Sequence, residues 1–321
     1  MLAFPYTHEN HFRYGYDGQW FVNRTNEEQV LTHTYGTVEK QLDLRSAALR
    51  AAELIANSTR DQIFVTLSGG IDSEIVADSF LAVGADFTAA VMRFDDDLNS
   101  HDIAYAEKYC RENRIQIQYF DLNPAKFWFS KEAVRIACVA QCHVPAVLCT
   151  LWLIEQIPGF PVIGNGDPLV YKPIKGMKVT DTLRMPQSAR YKDEPYVVRE
   201  SEHILSWYKH MINLGIQGVP GFHQYTPEQV LAVLDHPLTH HYVQQNYYQT
   251  NEHLKHAIYE EAFPGKEKRY PCNGIEFLAD ESAKAKVYKL SRAYGFETTE
   301  DCIPYYDLLA HLKGDLNAGN I

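Results

Sequence analysis

The chain has 321 residues, 45% of them hydrophobic and 22% charged, with a formal net charge of −11, enough apolar material to bury a full core in one large domain or two. The acidic balance argues against extended non-specific nucleic-acid binding, although a local basic site stays open. No apolar run reaches the roughly 18 residues of a spanning helix, and no basic stretch with a hydrophobic core follows Met1, so a cytoplasmic protein without membrane attachment is expected. The six cysteines, Cys110, Cys138, Cys142, Cys149, Cys272 and Cys302, form no Cys-x-x-Cys pair. Reduced thiols are expected, with Cys138, Cys142 and His143 read as residues packed in a helix in preference to a metal cluster.

The first element in chain order is a hairpin: Phe12 to Val22 alternates aromatic and polar residues around Asp17-Gly18, a strong turn signal. Val38 to Ala56 follows as a helix, with Val38, Leu42, Leu49, Ala52 and Ile55 roughly in phase. Ile63-Phe64-Val65-Thr66-Leu67 is then a short apolar run without polar alternation, as expected of a strand buried on both faces of a parallel sheet. Ser73 to Val83 resumes the helical period.

Between that strand and that helix lies Ser68-Gly69-Gly70-Ile71-Asp72-Ser73. Paired glycines allow a backbone concavity lined with N–H groups, and the following helix adds its own unpaired donors and positive dipole end. Ser68 and Ser73 can donate to phosphate oxygens. Asp72 would repel them unless it holds a bridging divalent cation. The sequence contains no Gly-x-x-x-x-Gly-Lys-Ser/Thr, and Gly164-Asn165-Gly166 continues to Leu169 where a dinucleotide fingerprint would have its third glycine.

Phe87 to Arg93 is a second strand, Asn99 to Cys110 a helix and Ile115 to Phe120 a third strand. This βαβαβ order predicts a right-handed parallel sheet, doubly wound if helices cover both faces. Ligands of such sheets bind outside the strands' carboxyl ends, so Met92 and Arg93 are expected to meet a nucleotide. Asp95-Asp96-Asp97 is read as a solvated acidic turn before metal ligands. Ala133 to Gln156, interrupted by Pro145, is two buried helices or one kinked helix. Phe160 to Asp167 is a short strand entering a second glycine turn.

Lys172, Lys175 and Lys178 follow, placed to neutralise a leaving anion, although solvated surface lysines are the plainer reading for at least two. Beyond them the pattern is mostly helical: Tyr196 to Leu214, a helix opened by Thr226-Pro227-Glu228-Gln229, Tyr242 to Phe263 and Glu281 to Tyr294.

The six-residue loop after a buried strand resembles the pyrophosphate loop of the ATP pyrophosphatases, which include asparagine synthetase, NAD synthetase, GMP synthetase and several tRNA-modifying enzymes. The resemblance implies ATP and Mg²⁺ as cofactors. Ser68, Gly69, Gly70, Asp72 and Ser73 would lie at the phosphates, and backbone groups around Met92 and Arg93 at the adenine. Gly164 to Asp167 looks like the acidic turn of asparagine synthetase, implying nucleotide contact at Gly166 and metal binding at Asp167 beside Asp72. Pro168-Leu169 stands where that family usually has an Asp-Glu pair. Asp72, Ser73 and Lys172 are then the expected catalytic residues.

The expected organisation is a hairpin extension over residues 1–37, an ATP-pyrophosphatase-like α/β domain over 38–180 and a helical substrate-side domain over 181–321. The implied reaction adenylates a small-molecule carboxylate, releases pyrophosphate and forms an amide with ammonia or another amine. Leu2 follows Met1 where a glutamine-using enzyme would carry a nucleophilic cysteine, so any glutaminase is expected on a separate chain. A base- or tRNA-modifying enzyme, or an adenine-nucleotide-binding module without turnover, is the alternative.

Overall fold

The structure, a computed structural model, describes residues 13–16, 31–34, 38, 40–140, 142, 144–171, 197–199, 204–244, 251–266 and 302–314. Near the N-terminus β1 (Arg13–Tyr16) pairs antiparallel with β2 (Leu31–Thr34), Tyr16 opposite Leu31. A ribbon is present, but its second strand lies further along the chain than the Asp17-Gly18 signal predicts. Asp17-Gly18 and the strand expected after it lie outside the described residues. Helix α1 (Leu44–Ser58) starts later than its periodicity suggests, because the Asp43 carboxylate accepts from the Ser46 N–H and fixes the N-cap. Val38 and Leu42 still pack on the core ahead of it.

The central sheet is formed by β3 (Ile63–Thr66), β4 (Phe87–Phe94), β5 (Gln116–Leu122) and β6 (Phe160–Ile163), all parallel, in the order β5-β4-β3-β6. β3 is central and buried throughout, which explains its unbroken apolar character. Ile63, Val65, Ala89 and Val91 face one core, together with α1, α2 (Ile71–Ala82) and α3 (Ser100–Asn113). Phe64, Ala90 and Phe120 face the other, beneath Leu153 and Ile157. That second face is covered after α4 (Pro124–Trp128) by α5 (Lys131–Ala140) and α6 (Pro145–Gln156), two helices bent 94° from each other at the expected proline break. The fold is therefore α/β and doubly wound.

The strand order also locates a crevice. The chain winds outward from β3 to β5 and then returns past β3 to form β6, so the winding reverses between β3 and β6. The loops leaving these two neighbours diverge there, which is where open α/β sheets bind ligands.

A small antiparallel sheet joins β7 (Leu169–Tyr171), β8 (Val197–Arg199) and β9 (Cys302–Pro304). Val197–Arg199, within the helix expected from Tyr196, are thus strand, and α7 (Ile204–Leu214) follows. Helices α8 (Pro227–Leu234), α9 (Pro237–Gln244) and α10 (Asn251–Ala262) follow; of the helix expected from Tyr242, the described residues lie at the end of α9 and in α10. The Gln229 side chain accepts from the Thr226 N–H at 3.0 Å, as its capping box predicts. The helix expected at Glu281 to Tyr294 lies outside the described residues. Among the described residues no single helix is long and apolar enough to cross a membrane.

The exit of α10 is tied to α2 by charge. Lys266 Nζ is 2.5 Å from Asp78 Oδ2 and 3.6 Å from the buried Glu74, and it lies over the Tyr109 ring. Removing a buried cation leaves carboxylates uncompensated, so Lys266→Met should destabilise the protein by about 2–4 kcal/mol in urea unfolding. Adding Glu74→Gln should recover part of the loss; a single variant as stable as wild type would contradict the tie.

Candidate functional site

The loop after β3 begins with one further sheet bond, from the Leu67 N–H to the Ala90 carbonyl at 3.0 Å. Gly69 then takes φ +86°, and a Cβ there would lie 2.2 Å from the Asp102 carbonyl oxygen of α3. Only glycine fits on both grounds. The Ser73 hydroxyl donates to the Gly70 carbonyl at 2.9 Å and accepts from the Ser68 N–H at 3.2 Å. The Gly70 N–H donates to Ser68 Oγ at 3.3 Å. The two serines therefore cross-tie the loop from within. Gly70 is the N-cap of α2 and brings no capping side chain, which leaves the helix start to external acceptors.

The second turn comes from β6, the neighbour of β3 across the reversal point. Gly164 lies so close to α2 that a Cβ would sit 3.0 Å from the Ser73 Cα. Gly166, at φ +94°, passes beside the Gln224 side chain with no room for a Cβ. The turn ends at Asp167, which is buried.

Asp72 and Asp167, remote in sequence, meet through Lys255 of α10, whose Nζ lies 2.6 Å from Asp72 Oδ2 and 2.6 Å from Asp167 Oδ2. The Tyr259 hydroxyl donates to Asp167 Oδ1. His223 stacks on Tyr259 with ring centroids 5.5 Å apart; its Nδ1 is 3.8 Å from Asp167 Oδ1, and its Nε2 is 3.2 Å from the Asp72 carbonyl oxygen. Asp72 retains 30% side-chain exposure, yet its Oδ1 is fully buried and has no hydrogen-bond partner.

Charge is shared unevenly. Burial, and next the charge on Asp167, raise the Asp72 pKa above the ordinary carboxylate value despite Lys255 and His223. Burial would also raise Asp167, but Lys255, His223 and the Tyr259 hydroxyl together hold it below that value. Burial alone would lower Lys255; the two carboxylates outweigh it and keep the ammonium charged.

Beside the loop lies a cavity of about 340 Å³, within the lower range of small-molecule sites. Ser68, Ser73 and Asn165 line it from the loops, and Met92, Phe94, Val147, Leu153 and Trp207 supply apolar walls. Of the two residues expected at the end of β4, only Met92 faces this cavity. Strand alternation turns the Arg93 side chain outward, where it makes a bidentate pair with Asp121 at 2.7 and 2.9 Å and lies over the Tyr119 ring. Asp95–Asp97 form an exposed 3-10 turn, and Asp95 accepts from the Asn123 amide. Among the described residues, Asp72, Asp167 and His223 form the group that could hold a metal, with ligand atoms within 4.8 Å of one another. Lys172 lies outside the described residues.

Sequence reasoning missed Lys255, Tyr259 and His223. Lys255 and Tyr259 are four residues apart beside Ile258 on one helical face, so a lysine sharing a buried face was the available signal. His223 follows Gly218-Val219-Pro220-Gly221 and carries no comparable mark.

No protein-family model and no curated protein matches the chain. Among solved structures, an NMN synthetase from Francisella tularensis aligns over 38% of this chain at 18% identity and a TM-score of 0.27. The chain spans about half of that protein, 54% of its length. The fold class stated above rests on strand order and winding.

The two loop glycines should respond differently to alanine. Gly69→Ala forces positive φ and a backbone clash and should cost about 2–4 kcal/mol of stability. At Gly70 the new Cβ meets only Ser68 Oγ, at 3.3 Å, so Gly70→Ala should cost about 1 kcal/mol or less. Equal losses in chemical denaturation would contradict the loop geometry.

Proposed function

We propose that the protein binds ATP at the reversal point of its sheet and adenylates a small-molecule carboxylate with release of pyrophosphate, as an asparagine synthetase-like ligase of the ATP pyrophosphatase superfamily. The observation that carries this reading is the meeting of the cross-tied Ser68–Ser73 loop, at the N-terminus of α2, with the acidic turn at Asp167. Loop N–H groups and the helix dipole suit the phosphates, and the adjoining cavity suits a nucleoside.

Asp72 Oδ1, buried without a partner, and Asp167 would offer carboxylate oxygens that fit a divalent cation such as Mg²⁺ once Lys255 moves aside, with His223 beside them. When bound, Mg²⁺ supplies positive charge to the phosphates. The substrate carboxylate oxygen attacks the α-phosphorus, the α–β phosphoanhydride bond breaks, and pyrophosphate leaves toward the loop. Ammonia or another amine then attacks the acyl carbon; AMP departs and the nitrogen loses a proton. The loop N–H groups receive the leaving group, and Ser68 and Ser73 orient it by holding the loop that presents them. Lys255, charged and beside both carboxylates, adds positive charge to the neutralising role expected of Lys172. The residues after 180 supply the acceptor side, and nitrogen arrives as free ammonia, an amine substrate or the product of a separate glutaminase. The position of Lys255 between both acids favours one other reading, a nucleotide-binding protein without turnover.

ATP–pyrophosphate exchange across a panel of carboxylic acids tests the proposal. At least one acid should support exchange. Asp72→Asn should lose it about 100-fold or more, the effect of removing a transition-state charge partner. Its melting point should stay within a few degrees, because Asp167 continues to hold Lys255. Exchange within a few-fold of wild type would remove Asp72 from the mechanism, and ATP binding without exchange on any acid would favour the binding protein.

A further inference from the structure

β3 ends its pairing with β4 at Thr66 opposite Ala90, with one more bond from Leu67, whereas β4 continues to Phe94 against β5. On its β3 side, the end of β4 therefore presents the Met92 carbonyl and the Phe94 N–H beyond the last neighbouring strand. This acceptor–donor pair lies at the cavity, and it matches a heterocycle edge that carries an amino group beside a ring nitrogen. The Asn99 side chain occupies it: Nδ2 donates to the Met92 carbonyl at 2.9 Å, and Oδ1 accepts from the Phe94 N–H at 2.9 Å.

A carboxamide and an aminopyrimidine edge are alike in this respect. Each has an acceptor and an N–H donor attached to one carbon, and each can bond a C=O and N–H pair simultaneously. Bidentate pairing by Asn99 occupies both main-chain groups that a base would need. Asn99 is 8% exposed. It also has a second place to go. It is the N-cap of α3, yet its side chain makes no capping bond; asparagine is a favoured N-cap whose oxygen accepts from the second or third N–H of the helix.

We propose that Asn99 is an internal mimic of the nucleobase edge, and that a nucleotide entering the cavity must displace it, with the released carboxamide turning to cap α3. The inference rests on the nucleotide reading above. Asn99 thereby sets affinity and base preference: a base with an acceptor beside an amino group, as in adenine, can replace it bond for bond. Guanine, with a ring N–H beside a carbonyl, would direct its N–H at the Phe94 N–H and its carbonyl at the Met92 carbonyl.

Isothermal titration of the full chain with ATP, GTP and inorganic tripolyphosphate tests this. Asn99→Ala should bind ATP about tenfold more tightly than wild type, a change equivalent to ~1.4 kcal/mol, with tripolyphosphate affinity unchanged and ATP preferred over GTP. Asn99→Ser, which retains a capping hydroxyl, should show the same gain and carries the test if the alanine variant fails to fold. Unchanged or weaker ATP binding in a folded variant that still binds tripolyphosphate would overturn the mimic alone. Wild-type protein that bound neither ATP nor tripolyphosphate at millimolar concentration would overturn the nucleotide reading and the mimic with it.

Discussion

Two carboxylates converging where the winding of the sheet reverses are the constraint on which the rest of this structure depends. Asp72 and Asp167 come from loops leaving adjacent strands, and each would oppose ionisation of the other in an environment with little water. Lys255 resolves the conflict by lying 2.6 Å from both. The C-terminal helices are consequently part of the site. Helix α10 is held at the Ser68–Ser73 loop by Lys255, and the segment just after it is held to α2 by Lys266.

Close backbone approach is the second requirement. The loop can lie between α3 and β6 only because Gly69 and Gly164 bring no Cβ into contact with Asp102 and Ser73. The serines then spend their hydroxyls on the loop itself, so its shape is set before any ligand arrives. Lys255 and Asn99 both satisfy groups to which a cation and a base would bind. The loop is thus preformed, and the groups beside it are held by internal partners.

Much of this was legible in the sequence, for identifiable reasons. The run Ile63-Phe64-Val65, without polar alternation, suits a buried parallel strand, and paired glycines before a helix signal a tight strand-to-helix turn. The order of strands and helices through Phe120 correctly implied the winding, and the winding brings Asp167 toward Asp72. Local signals failed where distant pairing decided the outcome. Val197–Arg199 has a sheet partner on each side, which overrode its helical reading. At Arg93 the expectation concerned the backbone; its side chain turns with the alternation of β4 to Asp121. Lys255 and His223 were hidden because their significance depends on carboxylates far away in the chain, and no local spacing records that partnership.

The most direct test of the account is a crystal structure of the full chain with Mg²⁺ and an ATP analogue whose α–β bridge is a methylene group. The account predicts the phosphates against the N–H groups of the Ser68–Ser73 loop, with the base in the cavity between the end of β4 and α6. It also predicts that Lys255 no longer bridges Asp72 and Asp167. An analogue bound elsewhere, or no binding at millimolar concentration with the loop and cavity unchanged, would contradict it.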